Sequence, residues 1–509
     1  MGRAALVVSG GILLSRVLGF AREVALAGLL GRSIEADLYQ HAFAIPDFLF
    51  FLMAGGYLTI TFVPIISRHL AEGNPQEANR SFTAVLKVVG GAMLVVTAIT
   101  FILARPIAEK VFAEVSADRM DDLVRLIRII LPAQFFFVIG SLLMAVQYAH
   151  RRFVIPTLAP LIYNVGIIAG GLISWGMGTP SPDGFVWGAL VGAVLGNFGL
   201  QIWGARRLGL QVVPQTSLRH PAIPEYFALA LPLMIGQSAV GLDEVFFRIF
   251  GQFAEVGNTA ALGYARRINM VPIGVIAQAA GVASYPFLAR LFAEGDLAGM
   301  RETVSRAVRV GTVVAGVGAA GTIALSLPLV QVAFQRGTFE AEDTIVTAAL
   351  LSIYGISIPL WTIHQVYTRG FYAQRRMWLP VGVGTAITLL AIPAYAVSVD
   401  RLGVAGIAWT SVGVMGLYAL ALGWWWHRSA PAGAVGAALG RTVLSSVPAG
   451  LAGWWIVKAM MGSEPASFST AALTLLVGAV VVIGASIGIL VLVRSPELRL
   501  LRRQSGSPQ

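Results

Sequence analysis

Charge is placed where charge is expensive in four apolar stretches of this chain. The first holds Arg16, Arg22 and Glu23, and the second holds Asp37, His41 and Asp47. The seventh holds Asp243, Glu244 and Arg248, and the eighth holds Arg266 and Arg267. A charge at mid-membrane costs at least about 2.5–3.5 kcal/mol, so such residues usually line a polar cavity. The planar guanidinium fork suits phosphate and carboxylate oxygens, which makes Arg16, Arg22, Arg266 and Arg267 candidates for gripping an anionic head group. Local pairing competes with that reading. Glu244 and Arg248 are four residues apart and are expected to form a structural ion pair. Asp37 and His41 share that spacing, and a lone histidine in an apolar helix is more often a satisfied hydrogen-bonder than a proton relay. Arg22 has Asp37 as a candidate partner. Arg16 and Arg267 have no acidic residue at helical spacing, which favours a ligand role. Arg266 lies about 100° round the helix from Arg267, so one of the two is expected to enter the cavity.

The elements that position these residues are membrane spans. The 509 residues are 57% hydrophobic and 12% charged, about half the charge of a soluble domain. There are no cysteines, which excludes disulfides, thiolate metal sites and cysteine nucleophiles. The net charge of +11 is read as loop charge that orients the chain in a membrane, not as a nucleic-acid footprint. The start, MGRAALVVSGGILLSRVLGF, lacks a small-residue cleavage site and reads as a retained span. Runs near 4–30, 37–66, 80–104, 123–148, 154–175, 184–204, 224–250, 258–288, 307–331, 345–370, 377–398, 403–426, 437–460 and 468–493 are each long enough to cross. They lack strand alternation, so the expected fold is all-α with fourteen transmembrane helices. With the N-terminus inside, the inner connections carry 22 Lys and Arg against 9 outside, which places both termini in the cytoplasm.

The chain also repeats itself. Residues 148–156 read YAHRRFVIP and residues 372–380 read YAQRRMWLP, an offset of 224. Residues 64–74 read PIISRHLAEGN and residues 286–296 read PFLARLFAEGD, an offset of 222. Six spans separate the copies, an even number, so the repeat is parallel about an axis along the membrane normal. The expected organisation is an N-lobe over 1–222, a C-lobe over 223–429 and two further helices over 430–509. Two six-helix lobes around a central cavity are a transporter's architecture. Gly10, Gly11, Gly19, Pro46, Gly55, Gly56, Pro272 and Gly274 interrupt the lead spans as hinges or as close-packing positions.

SRVLGFAREVALAGLLG (15–31) and ADLYQHAFAIPDFLFFLMAGGYLTITFVPIIS (36–67) resemble the opening of the MurJ/MviN family of lipid II flippases. YARRINMVPIGVIAQAAGVASYPFLARL (264–291) and GFYAQRRMWLPV (370–381) extend the resemblance. It implies the multidrug/oligosaccharidyl-lipid/polysaccharide exporter fold and translocation of the undecaprenyl-diphosphate-linked peptidoglycan precursor. By the same resemblance, Arg16, Arg22, Asp37 and Arg267 fall on the family's substrate-binding positions, with the other charges of the four spans as secondary candidates. Spans 13 and 14 would form a groove for the polyprenyl tail. The chain departs from the pattern at Phe50 and Phe51, where many members carry two arginines, and at Gly55, Arg266 and Met270, where acidic residues stand. Span 11 lacks Asp, Glu and Asn, so the sodium site of some relatives is not expected here, although Asp243 is present.

No phosphate-cradling Gly-rich loop with Lys and no His-Glu-x-x-His is present, so an enzyme is not expected. No cofactor or metal is expected. Energy would come from the membrane potential, at about 2.3 kcal/mol per charge per 100 mV, or from an ion gradient. The expected partners are the lipid-linked glycan, membrane lipids and cell-wall synthases, with the chain itself a monomer. Alternatives are a flippase for another polyprenyl-linked oligosaccharide, a cation-coupled drug exporter, which would need a carboxylate-rich cavity, and a non-transporting scaffold.

Overall fold

The computed structural model describes residues 2–53, 57–178, 180–428 and 433–505. Among them the secondary structure is helical throughout, with no strand. The backbone divides into two compact units, 1–252 and 253–509.

Unit 1 contains α1 (Gly2–Leu30), α2 (Ile34–Met53), α3 (Tyr57–Ala71), α4 (Pro75–Ile102), α5 (Ala104–Val111), α6 (Ala117–Ala149), α7 (Val154–Gly176), α8 (Pro182–Arg206) and α9 (Ala222–Phe250). Its core is the mutual burial of α3, α4, α6 and the start of α9, through Phe62, Phe82, Leu142 and Tyr226. Helices α7 and α8 approach until backbones touch. A Cβ at Gly188 would stand 2.2 Å from the Gly166 carbonyl oxygen, and one at Gly170 would stand 2.1 Å from that of Gly184. Lipid supplies no hydrophobic drive between helices, so small residues at four-residue spacing make this seam by close packing. On α1, which runs unbroken for 29 residues, Gly11 packs on the Thr157 side chain and Gly19 lies in ordinary contact with Asn164, whereas nothing lies within 4 Å of a Cβ at Gly10. Gly55 and Gly56 lie outside the described residues.

Unit 2 contains α10 (Asn258–Ala293), α11 (Leu297–Ala324), α12 (Ser326–Phe334), α13 (Ala341–Gly355), α14 (Ser357–Ala373), α15 (Trp378–Leu402), α16 (Val404–His427), α17 (Gly433–Met461), α18 (Phe468–Leu492) and α19 (Pro496–Ser505). Helix α10 packs on α14, α13 and α11, and α15 on α16. Helices α17 and α18 join this unit through α11: Ala320, Ala324 and Leu325 bury against Ala449, Val457 and Val482. Their other faces, including Leu444, Leu451, Trp455, Leu476 and Val480, are exposed and apolar, as lipid contact requires.

Ten helical segments among the described residues are long and apolar enough to cross a membrane. They correspond to expected spans 3–6 and 9–14. The remaining four are α1, α2 with α3, α9 and α10, the segments that carry the intramembrane charges. At 29 residues, α1 and α9 are each longer than the roughly 20 needed to cross, and α10 has 36.

The repeat is visible in backbone detail. Helix α6 spans 117–149 and the α13–α14 pair spans 341–373, the same limits displaced by 224. Arg151 and Arg375 both adopt left-handed backbone, with φ of 56° and 59°. In each copy the amide of that arginine donates to the carbonyl three residues back, and the next amide donates to the carbonyl five residues back. This is the Schellman helix ending, with arginine where glycine is usual. The second motif is also punctuation. Gly73 and Gly295 are left-handed at φ 72° and 78°. Asn74 and Asp296 then cap the following helices by accepting from the amides of Glu77 and Gly299. Packing places the unit boundary one helix later than the repeat does, because α9 packs on α2 and α3.

Candidate functional site

In unit 1, most of the charges singled out from the sequence meet in one buried polar region. Helix α1 brings Arg22 and Glu23 against α7. The Arg22 guanidinium donates to Glu23 Oε1 at 2.5 Å and to Asn164 Oδ1 at 3.3 Å, while its Nε is buried with no hydrogen-bond partner. The phenol groups of Tyr39 and Tyr163 lie within its electrostatic reach. The expected Arg22–Asp37 pairing does not form. Glu23 is the adjacent residue, and Asn164, one close approach along the α1–α7 seam, takes the remaining geometry.

A second cluster ties α9 to α2. Arg248 donates to Asp47 Oδ2 at 2.6 Å and to Glu244 Oε1 at 3.1 Å. The expected Glu244–Arg248 pair is present, and Asp47 on another helix makes the shorter contact. His41 Nδ1 lies 2.8 Å from the Arg248 carbonyl oxygen. A carbonyl only accepts, so the ring proton is on Nδ1, and His41 satisfies one of the carbonyls left open at the end of α9. His41 is thus a hydrogen-bonder, and its partner is this carbonyl and not Asp37. Asp47 also lies within electrostatic range of Arg22, so the two clusters form one region. Asp37 is buried in the first turn of α2, where a carboxylate suits the helix dipole. Arg16 is exposed two turns before Arg22, and Asp243 is half-buried on α9.

Phe50 and Phe51 wall this region. Phe50 packs edge-on against Phe137 at 5.9 Å, and Phe137 packs against Tyr163 at 5.2 Å. The Phe51 ring lies against Gly241, where a Cβ would come within 2.8 Å of it. Phe50 and Phe51 thus form an aromatic surface that reaches through Phe137 to Tyr163.

In unit 2, Arg266 and Arg267 are half-buried on α10. The Arg266 guanidinium stands over the Tyr354 ring at 5.6 Å. Two residues beyond Arg267, Asn269 donates to Ser357 at 3.0 Å, and both are buried. Among the described residues no group of three or more His, Asp or Glu could hold a metal ion. Sequence reasoning missed Asn164 and Tyr163, although a lone asparagine in an apolar span was the available signal.

These units define a multi-pass helical membrane protein with a buried, arginine-bearing polar region. The fold matches a solved structure of "Lipid II flippase MurJ, inward closed conformation" with a TM-score of 0.79, at 21% identity, over 95% of this chain and 99% of that one. It also matches an inward-facing MATE-family multidrug transporter of the MOP superfamily with a TM-score of 0.69, at 14% identity, over 86% and 98%. The family model "Lipid II flippase MurJ" matches residues 26–489, and the chain belongs to that family. Relatives include a lipid II flippase MurJ of Burkholderia cenocepacia, 27% identical over 81% of each chain. A probable lipid II flippase MurJ of Rhizobium tropici is 26% identical over 77% of this chain and 75% of its own length.

Proposed function

We propose that the chain moves lipid II, the undecaprenyl-diphosphate-linked peptidoglycan precursor, from the inner to the outer leaflet of the bacterial cytoplasmic membrane. The family match over residues 26–489 carries the reading. The substrate head is a diphosphate bearing sugars and a peptide, and guanidinium groups are the side chains best shaped for it. Arg22 is the principal binding residue. Its Nε is buried without a partner, and its donors to Glu23 and Asn164 position the group for exchange onto phosphate oxygens. Arg16, nearer the start of α1, and Asp37 support it within unit 1, and Arg267 is the binding residue of unit 2. Arg266, held over Tyr354, has a supporting role. The mechanism is alternating exposure of these arginines to the two sides of the membrane, driven by the membrane potential or an ion gradient acting on the charged head. The polyprenyl tail stays in lipid along the exposed faces of α17 and α18. The protein is not an enzyme, has both termini in the cytoplasm and works as a monomer beside cell-wall synthases.

Complementation of a strain depleted of its own lipid II flippase tests this. Wild-type chain restores growth, whereas Arg16→Ala and Arg22→Ala, expressed at equal levels in the membrane, do not. Growth with both variants overturns the assignment. One observation favours a second reading. The aromatic wall of Phe50, Phe51 and Phe137 suits a different sugar head on the same lipid carrier. Binding of lipid-linked oligosaccharides other than lipid II, with lipid II inert, selects that reading.

A further inference from the structure

At the end of unit 1 assigned to the outer side of the membrane, two depressions of about 450 Å³ each lie side by side between α4, α6 and α8. Each falls within the roughly 300–1,000 Å³ range of sites that hold a ligand. They share Phe101 and Pro132, so they form one trough. One arm is basic and the other is greasy. Arg105, Arg125, Arg128 and Trp187 line the first. Leu94, Ala98, Ile102 and Phe136 line the second.

The arginines of the basic arm are not equivalent. Arg125 is held bidentately by Asp183, at 2.9 and 3.0 Å, and Arg105 pairs with Asp121 and Glu109. Those pairs fasten α6 to α8 and α5 to α6. Arg128, one turn further into α6, is different. It donates through Nε to the Phe101 carbonyl at 3.4 Å and stands 5.7 Å from the Phe101 ring. Among the described residues no carboxylate lies within ion-pair distance of it. A guanidinium partnered by only a carbonyl and a ring face suits an anion with two oxygens. Trp187, half-exposed beside it, is the side chain expected at a head-group boundary.

The duplication supplies a control. At the 224-residue offset of α6 and the α13–α14 pair, Arg125 corresponds to Ala349 and Arg128 to Ser352, whereas α8 and α16 start 222 residues apart, which sets Trp187 against Trp409. The fold therefore does not require the two arginines for packing, and the basic arm belongs to one half only, while the tryptophan is common to both.

We propose that this trough is a binding site for an anionic glycerophospholipid. Its phosphate lies at Arg128, with Arg125 and Arg105 as the rim, and one acyl chain lies in the apolar arm past Phe101. Basic pockets between membrane helices recognise phospholipid heads in this way. The site is separate from the Arg22 region and does not depend on the identity of the transported lipid.

The test is native mass spectrometry of the delipidated full-length chain, titrated with phosphatidylglycerol and with phosphatidylcholine. The wild type binds phosphatidylglycerol more tightly. Arg128→Leu weakens that binding about tenfold and leaves phosphatidylcholine unchanged, as loss of one charged hydrogen-bond partner predicts. Ala98→Trp, which fills the apolar arm, weakens both lipids. Equal binding of the two lipids by the wild type, or unchanged phosphatidylglycerol binding by Arg128→Leu, overturns the proposal. So does displacement of phosphatidylglycerol by equimolar undecaprenyl phosphate, which would assign the trough to the polyprenyl lipid.

Discussion

Arg248 on α9 donates to Asp47 on α2 at 2.6 Å, a largely buried ion pair between residues 201 apart in sequence, with the arginine buried and the carboxylate a quarter exposed. Removing one partner of such a pair leaves the other charge buried and uncompensated, which costs more than the pair contributes. Arg248→Met is therefore expected to destabilise the detergent-solubilised protein by about 3 kcal/mol. The double variant Arg248→Met with Asp47→Leu should recover most of that loss in thermal unfolding. A double variant no more stable than Arg248→Met alone would mean that the two charges act independently.

His41 tests the same junction without changing charge. His41→Phe removes the donor to the Arg248 carbonyl and keeps an aromatic ring near Phe112, whose ring centre is 5.0 Å away. An uncapped carbonyl in a dry site costs about 1–3 kcal/mol. The readout is the melting temperature, together with faster amide exchange over the last turn of α9. Unchanged exchange there would show that the bond does not hold the helix end.

The repeated Tyr-Ala-x-Arg-Arg motif makes a backbone prediction. Left-handed φ at a non-glycine residue costs about 1 kcal/mol. Arg151→Gly and Arg375→Gly should each leave thermal stability equal or higher, whereas Arg151→Val and Arg375→Val should lower it. The two copies should respond alike. A loss of stability with glycine as large as with valine would place the value of these arginines in their charge and not in the turn.

The C-terminal helix α19 docks through Glu497. Burial alone would raise the carboxyl's pKa, but hydrogen bonds from Arg441 at 2.6 and 3.0 Å and from Ser495 at 2.6 Å reverse that and hold it below the usual glutamate range. A group depressed in the folded state stabilises fully above its unfolded value and loses that contribution as pH falls through its folded value. Docking of α19 should therefore be constant from neutral pH down to about 4.3, the unperturbed glutamate value, and weaken below it. Proteolytic release of the tail as pH is lowered reads this directly. Glu497→Gln should release the tail at every pH, and a docked Glu497→Gln tail would exclude the carboxylate as its anchor.

Much of this was legible in the residues. Span limits followed from apolar runs ended by turn residues, and the 224-residue repeat appears as matched helix limits and matched left-handed arginines. The i,i+4 pair of Glu244 and Arg248 was legible because helical spacing fixes it. Partners on other helices were not. Asp47 for Arg248, Asn164 for Arg22 and the Arg248 carbonyl for His41 depend on which helix faces lie together, and periodicity does not encode that. The same limit explains α9, whose place in the repeat and whose packing partners point to different halves.

The most direct measurement is leaflet accessibility of lipid II in sealed liposomes that contain only the purified chain. The account predicts that wild-type protein moves lipid II between leaflets and that Arg22→Ala, folded and inserted to the same level, does not. Lipid II that stays in its original leaflet with wild-type protein under an imposed potential, or that crosses as fast with Arg22→Ala, would contradict it.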